Sequence, residues 1–234
     1  MTRNTVTLAD EKPLLLGDHA YEMIRRDIIN CELVPGSEAT EAALAGRLGL
    51  GKAPVRFALA RLCQEGLVRP LPRRGYVVAP ITIKDVHEIL EMRMALEPVA
   101  ARLAVGRLDL AELRSLTASA AKTREHDAVD HEVNRAFHNA IAQASGNSRM
   151  AGTLTDLLDQ MERFVRLFIK NRDVKHAEQD HRTLKIEHAR ILDAFAATDA
   201  NAAEEAVRNH LQTTYRLIMD AIVKGRPEGV RIPG

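Results

Sequence analysis

Residues 35–78 read PGSEATEAALAGRLGLGKAPVRFALARLCQEGLVRPLPRRGYVV. Pro35-Gly36 breaks the chain. Thr40 is placed to cap a helix whose inner stripe is Leu44 and Leu48. Gly49-Leu50-Gly51 makes a tight turn. A second helix then runs from about Lys52 to Gln64. Pro54 falls in its first turn, where a missing N–H costs nothing. Val55, Leu59 and Leu62 face inward, and Gly66 ends the helix. Leu67-Val68-Arg69 and Tyr76-Val77-Val78 are short strand candidates around a turn at Pro70-Leu71-Pro72-Arg73-Arg74-Gly75. Upstream, His19 to Cys31 has helical spacing, with Ala20, Ile24, Ile28 and Ile29 on one side. Three helices, a tight turn before the third and a hairpin after it describe a winged helix-turn-helix.

Charge singles out the same stretch. Between Gly51 and Tyr76 stand Lys52, Arg56, Arg61, Arg69, Arg73 and Arg74 against one acid, Glu65. The whole chain carries only +1, so the rest is net acidic. A localised basic patch on a near-neutral protein points to a polyanion contact, and the bland alternative is a solvated basic face. The third helix of such a unit enters the major groove with its N-terminal residues at base edges. Here those are Lys52, Ala53 and Arg56. The fork of Arg56 suits guanine O6 and N7, and Lys52 suits a phosphate or a single acceptor. Arg73, Arg74 and Gly75 form the wing tip, within reach of phosphates or the minor groove.

From about Thr82 onward the pattern is helical almost to the end. The spacing predicts helices near 84–105, 110–125, 128–144, 149–171, 176–197 and 200–224. The chain therefore divides into a polar tail at 1–15, a winged helix-turn-helix at 16–80, an all-helical unit at 81–226 and a tail at 227–234. Both tails are expected to be flexible. The fold class is mainly α, a winged helix-turn-helix followed by a six-helix bundle.

The chain has 234 residues, 46% of them hydrophobic and 28% charged, which gives ample material for two cores and excludes a disordered polyelectrolyte. Aromatic residues make up 3% and Trp is absent, which favours packed helices over sheets. No apolar run approaches the ~18 residues of a membrane span, and the opening residues lack the apolar core of a secretory signal. Cys31 and Cys63 form no CxxC pair. A reducing cytoplasm is the expected location.

Three of the nine histidines stand on apolar stripes. His138 follows Asn134 by four residues, so both project from one helix face, beside Phe137 and Ile141. His188 lies with Leu184, Ile191, Leu192 and Phe195. His210 lies with Val207, Thr214 and Leu217. Buried imidazoles need partners, and one divalent metal satisfies all three. Three separately hydrogen-bonded core histidines are the alternative. Glu187, beside His188, is read as pointing to a different helix face. Arg93 lies in register with Leu90, Leu96 and Glu97. It needs an anion or an acid partner, and Glu97 is the nearer one. His181, seven residues before His188, is a further candidate to line the same cavity.

Taken together, Pro35-Gly36, Leu44-Ala45, Leu48-Gly49, Pro54-Val55-Arg56, Ala58-Leu59, Leu62, Glu65-Gly66-Leu67-Val68 and Arg74-Gly75 resemble the GntR family of bacterial transcription regulators. Gly51, Lys52 and Phe57 depart from the Ser or Thr, Arg and Glu usual there. Ala42 stands where some members carry an Arg that touches DNA. The segments EMRMALEPVAARLA, NRAFHNAIAQASGNSRM and EHARILDAFAATDANAAEEAVRNHL are similar to the FCD ligand-binding domain of the FadR subgroup, six-helix type. That resemblance implies a divalent cation held by an Asp-x3-His pair and two later histidines. The matching residues here are Asn134, His138, His188 and His210. The amide of Asn134 is a weaker ligand than a carboxylate, and three imidazoles suit Zn or Ni better than Mg or Ca. The resemblance also implies that Arg93 reaches the carboxylate of an effector.

No HExxH, nucleophile elbow or paired-carboxylate motif is present, so a metal-dependent hydrolase using the same cluster is the weaker reading and a metal sensor a second alternative. The sequence is best read as a non-enzymatic transcription regulator. It is expected to be a homodimer on an inverted-repeat operator in double-stranded DNA, controlled by a small carboxylate effector.

Overall fold

The computed structural model describes the backbone of residues 8–120, 126–169, 174–224 and 230–231, and the side chains of residues 15–115, 132–167, 182–220 and 222. The chain divides into two compact units, Met1–Ile81 and Thr82–Gly234.

The first unit opens with α1 (Leu8–Ile29), followed by β1 (Glu38–Ala39), α2 (Glu41–Leu48), α3 (Lys52–Gln64), β2 (Val68–Leu71) and β3 (Gly75–Val78). Thr40 caps α2 by accepting from the Ala43 amide, and Gly49 closes that helix in the left-handed conformation. Gly51 begins α3 with no side-chain cap. Val55, Ala58, Leu59 and Leu62 of α3 are fully buried against Ala20, Ile24 and Ile28 of α1 and Val78 of β3. Burial of each Leu or Ile contributes roughly 1.5–3 kcal/mol. The strands form one antiparallel sheet in the order β1-β3-β2. Val68 faces Val78 and Leu71 faces Gly75 across the hairpin.

Polar contacts fix α3 in this frame. The Tyr21 hydroxyl donates to Glu65 at 2.8 Å, and the Arg61 guanidinium lies 3.6 Å above the Tyr21 ring. Burial, reinforced by the Glu65 carboxylate, pushes the Tyr21 hydroxyl up to about 12. Arg47 of α2 reaches the buried Asp27 of α1 at 2.8 Å.

Helix α1 begins at Leu8, inside the segment read as a flexible tail through residue 15. The polar opening residues conceal a helix that continues into the apolar stripe of Ala20, Ile24 and Ile28. Strand β1, only two residues long, adds to the hairpin by pairing Glu38 with Val77 and Ala39 with Tyr76.

The second unit holds six helices among the described residues: α4 (Ile83–Ala104), α5 (Leu110–Ala120), α6 (His126–Ala144), α7 (Ser148–Ile169), α8 (Val174–Ala196) and α9 (Ala200–Lys224). Side-chain caps set the starts of four of them. Thr82 and Asp85 form a reciprocal capping box on α4. Asp109, Asn147 and Asp199 accept from the amides of Glu112, Met150 and Ala202 in the first turns of α5, α7 and α9. Helix α4 packs on α6, α7 and α9, and α8 packs on α9. Phe137, Ile191, Phe195, Val207 and Leu211 lie in the core these helices share. Near the chain end Val230–Arg231 forms a two-residue strand, where Gly and Pro punctuation predicts no packing.

Candidate metal centre and nucleic-acid interface

In the winged unit, Lys52 and Ala53 are exposed in the first turn of α3. Arg56 follows one turn later, with about two thirds of its side chain exposed. Its guanidinium is not loose. Nε and Nη2 both donate to the Glu41 carboxylate, at 3.0 and 2.8 Å. The Arg56 hydrogen bond holds the Glu41 carboxyl below its usual range. Arg73 and Arg74 are exposed in the β2–β3 turn, and Arg74 pairs with Glu38 of β1 at 2.7 Å. Arg73 adopts a positive φ of 65° and Gly75 one of 106°. A Cβ on Gly75 would stand 2.6 Å from the Ala39 carbonyl oxygen, so only glycine fits where β1 approaches the wing. Arg61 belongs elsewhere in the unit, over Tyr21 and beside Asp18 and Glu65.

In the helical unit, His138 of α6, His188 of α8 and His210 of α9 converge. Each offers a ring nitrogen, and these nitrogens lie within 4.8 Å of one another. His138 and His210 are each 1% exposed, and His188 is half-buried. The Nε2 atoms of His138 and His210 face each other at 3.2 Å. The His188 ring stacks on Phe137 with centroids 4.3 Å apart. Asn134 is half-buried, one turn before His138 on α6. The side chain of His181 lies outside the described residues.

Two carboxylates flank the cluster, Glu97 buried and Glu187 half-buried. Glu97 of α4 places Oε2 2.7 Å from His138 Nδ1 and accepts from Arg93 Nε on its other oxygen. Arg93 and Glu97 are both buried. Among the described residues Glu97 is the ion-pair partner of Arg93, the nearer of the two partners the sequence offered. Burial works to raise the Glu97 pKa, but Arg93 and then His138 outweigh it and hold the carboxyl far below the usual range. Burial pushes His138 down to about 4 despite the opposing pull of Glu97, so the ring is neutral near pH 7.

Glu187 requires a correction. It does not point away from the cluster: its Oε2 lies 3.0 Å from His210 Nδ1, and its Oε1 accepts from Thr213 at 2.7 Å. Burial raises its pKa, but the hydrogen bonds from His210 and Thr213 outweigh that and leave it lowered. Residues adjacent on a helix diverge by about 100°, and spacing alone does not show that α9 packs close enough to meet both.

The donor set fits a divalent transition metal. Three convergent imidazoles suit Zn, and imidazole also suits Ni. Two of the rings have carboxylates on their outer nitrogens, as metal-bound histidines usually do. An open cleft between α4 and α9 is lined by Met94, Asn209, Gln212, Thr213, Tyr215 and Arg216. None of the three histidines lines it, but Thr213 belongs both to this cleft and to the Glu187 contact.

A winged helix-turn-helix followed by an all-helical domain is the build of a DNA-binding regulator. Comparison with known proteins agrees. Residues 16–78 match the family of bacterial regulatory proteins, gntR family, and residues 88–213 match the FCD domain. The chain belongs to the GntR family, with a C-terminal FCD domain, and is a DNA-binding transcription regulator rather than an enzyme. It is 26% identical over 214 residues to the HTH-type transcriptional regulator YdhC of Bacillus subtilis, covering 88% of this chain and 92% of that protein. It is 26% identical over 197 residues to the HTH-type transcriptional repressor RspR of Escherichia coli, covering 82% and 84%. Its fold is similar to that of E. coli McbR/YncC, with a TM-score of 0.76 and 23% identity over 88% of this chain and 97% of that one. No helix among the described residues is long and apolar enough to cross a membrane.

Proposed function

We propose that this regulator controls its operator affinity through a small organic acid bound at a divalent metal, Zn or Ni, in the helical domain. The observation that carries this reading is the convergence of His138, His188 and His210 from three helices, with Glu97 and Glu187 behind two of them. Asn134 completes the set as a neutral oxygen donor. When bound, the metal supplies open positions for the carboxylate of the acid. Arg93 orients that carboxylate, releasing part of its hold on Glu97. The protein acts in the cytoplasm as a homodimer on an inverted repeat, because a two-fold protein matches a two-fold operator.

On the DNA side, Arg56 reads a guanine and Lys52 and Ala53 lie along the groove edge. Arg73, Arg74 and Gly75 carry the wing to the backbone. Ligand binding shifts operator affinity only by as much as the acid distinguishes the two states of the dimer. RspR is a repressor, and the same sign is proposed here, with repression relieved by the acid.

A thermal-shift screen of small carboxylic acids on chelated and Zn-loaded protein tests the reading. An acid that stabilises only the loaded form and alters a gel mobility shift on operator DNA is the expected result. If Zn alone switches operator binding and no acid adds to it, the protein is a metal sensor instead. Arg93→Met is expected to keep basal DNA binding and lose the response to the acid.

A further inference from the structure

The two flanking carboxylates do more than fill space. A carboxylate only accepts hydrogen bonds, so a neutral ring nitrogen beside it must carry the proton. His210 Nδ1 stands 3.0 Å from Glu187 in hydrogen-bond geometry, and His138 Nδ1 stands 2.7 Å from Glu97 as a close contact off the hydrogen-bond line. A neutral imidazole has a single N–H, so each Nε2 then presents a lone pair. The two Nε2 atoms face each other at 3.2 Å, in rings that are each 1% exposed. Two lone pairs at that distance repel unless positive charge lies between or beside them.

We infer that Glu97 and Glu187 are positioning residues that set the tautomer of His138 and His210 and aim both Nε2 atoms at one cation. The inference rests on the metal reading above and adds which side chains make the imidazoles into ligands. It also accounts for Asn134. The neutral amide brings no charge, so the negative charge around the site comes from two carboxylates on the far side of the imidazole rings.

The two carboxylates are anchored differently. Glu97 is matched by Arg93 on its own helix. Glu187 has both oxygens held from α9, one by His210 and one by Thr213. Glu187 therefore fixes α8 to α9 at the level of the cluster, and its side chain is 13% exposed against 4% for Glu97. Glu187→Ala is accordingly the variant that tests the idea with least damage to the core.

Zinc affinity is measured on the full chain by competition with a chromophoric chelator. Glu187→Ala is expected to bind zinc roughly 10–100-fold more weakly than wild type, with Glu187→Gln, which keeps an acceptor, in between. A second reading needs no metal. Nitrogen-15 NMR of histidine-labelled, metal-free protein is expected to show His210 protonated on Nδ1 in wild type and mixed between Nδ1 and Nε2 in Glu187→Ala. Wild-type zinc affinity in Glu187→Ala, or an unmoved His210 tautomer, overturns the inference while the metal reading stands on His210→Ala. Failure of the wild-type protein to bind zinc removes both.

Discussion

Glu97 Oε2 stands 2.7 Å from His138 Nδ1 inside the helical domain, with the Arg93 guanidinium on the other side of the same carboxylate. The three groups form one buried chain of charge and hydrogen bonding across α4 and α6. Its protonation sets a dependence of stability on pH. Burial lowers His138 from 6.5 to about 4, so below pH 6.5 the unfolded chain takes up a proton that the native ring refuses. The contribution is complete above pH 6.5 and is lost as the pH falls toward 4. The metal-free protein is expected to melt at progressively lower temperature over that window. His138→Gln removes this part of the slope. A melting temperature in wild type that is flat from pH 7 to 4.5 contradicts the assignment.

Arg93 carries a structural share in this chain. Arg93→Met leaves the Glu97 carboxylate buried beside a neutral ring. Breaking a buried pair by removing one partner costs about 3–5 kcal/mol. Urea unfolding is expected to show a loss of that order, with much of it recovered in the Arg93→Met/Glu97→Met double variant. A single variant as stable as wild type would mean that Glu97 does not depend on Arg93.

The wing supplies a backbone test. Gly75 has a φ of +106° and its missing Cβ would meet the Ala39 carbonyl at 2.6 Å, whereas Gly36, at +84°, has open space around it. Gly75→Ala is expected to destabilise the winged unit by about 1–3 kcal/mol and to weaken DNA binding with it. Gly36→Ala carries only the left-handed strain of about 1–2 kcal/mol and leaves the β1–β3 pairing intact. Equal effects of the two substitutions would show that β1 does not close on the wing.

The Glu41–Arg56 pair bears on operator reading. Glu41 holds Nε and Nη2 of Arg56 and so fixes the direction of a side chain that is otherwise exposed. Arg56→Ala is expected to weaken specific DNA binding by roughly 1–3 kcal/mol and to relax preference at one base pair. Arg56→Lys does not restore it, because an ammonium cannot make the paired contact. Unchanged affinity in titrations of operator against non-specific DNA contradicts the role of α3.

Much of this architecture is legible in the residues. The start of α2 is written in Thr40, whose side chain caps it. The three inward histidines show in apolar stripes of helical period. What escapes is pairwise and tertiary. Strand β1 is two residues long and too short to show a period. Glu187 neighbours His188 in the chain, yet it serves His210, because the packing of α8 on α9 decides which side chains meet. The hold of Glu41 on Arg56 spans two helices and has no sequence period at all.

The central claim is that His138, His188 and His210 hold a cation. Metal analysis of the purified full-length chain after dialysis against excess zinc tests it most directly. About one zinc per chain is expected in wild type and a loss in both His138→Ala and His210→Ala, with each variant still folded by circular dichroism. Absence of zinc from the wild type, or full occupancy in both variants, contradicts it.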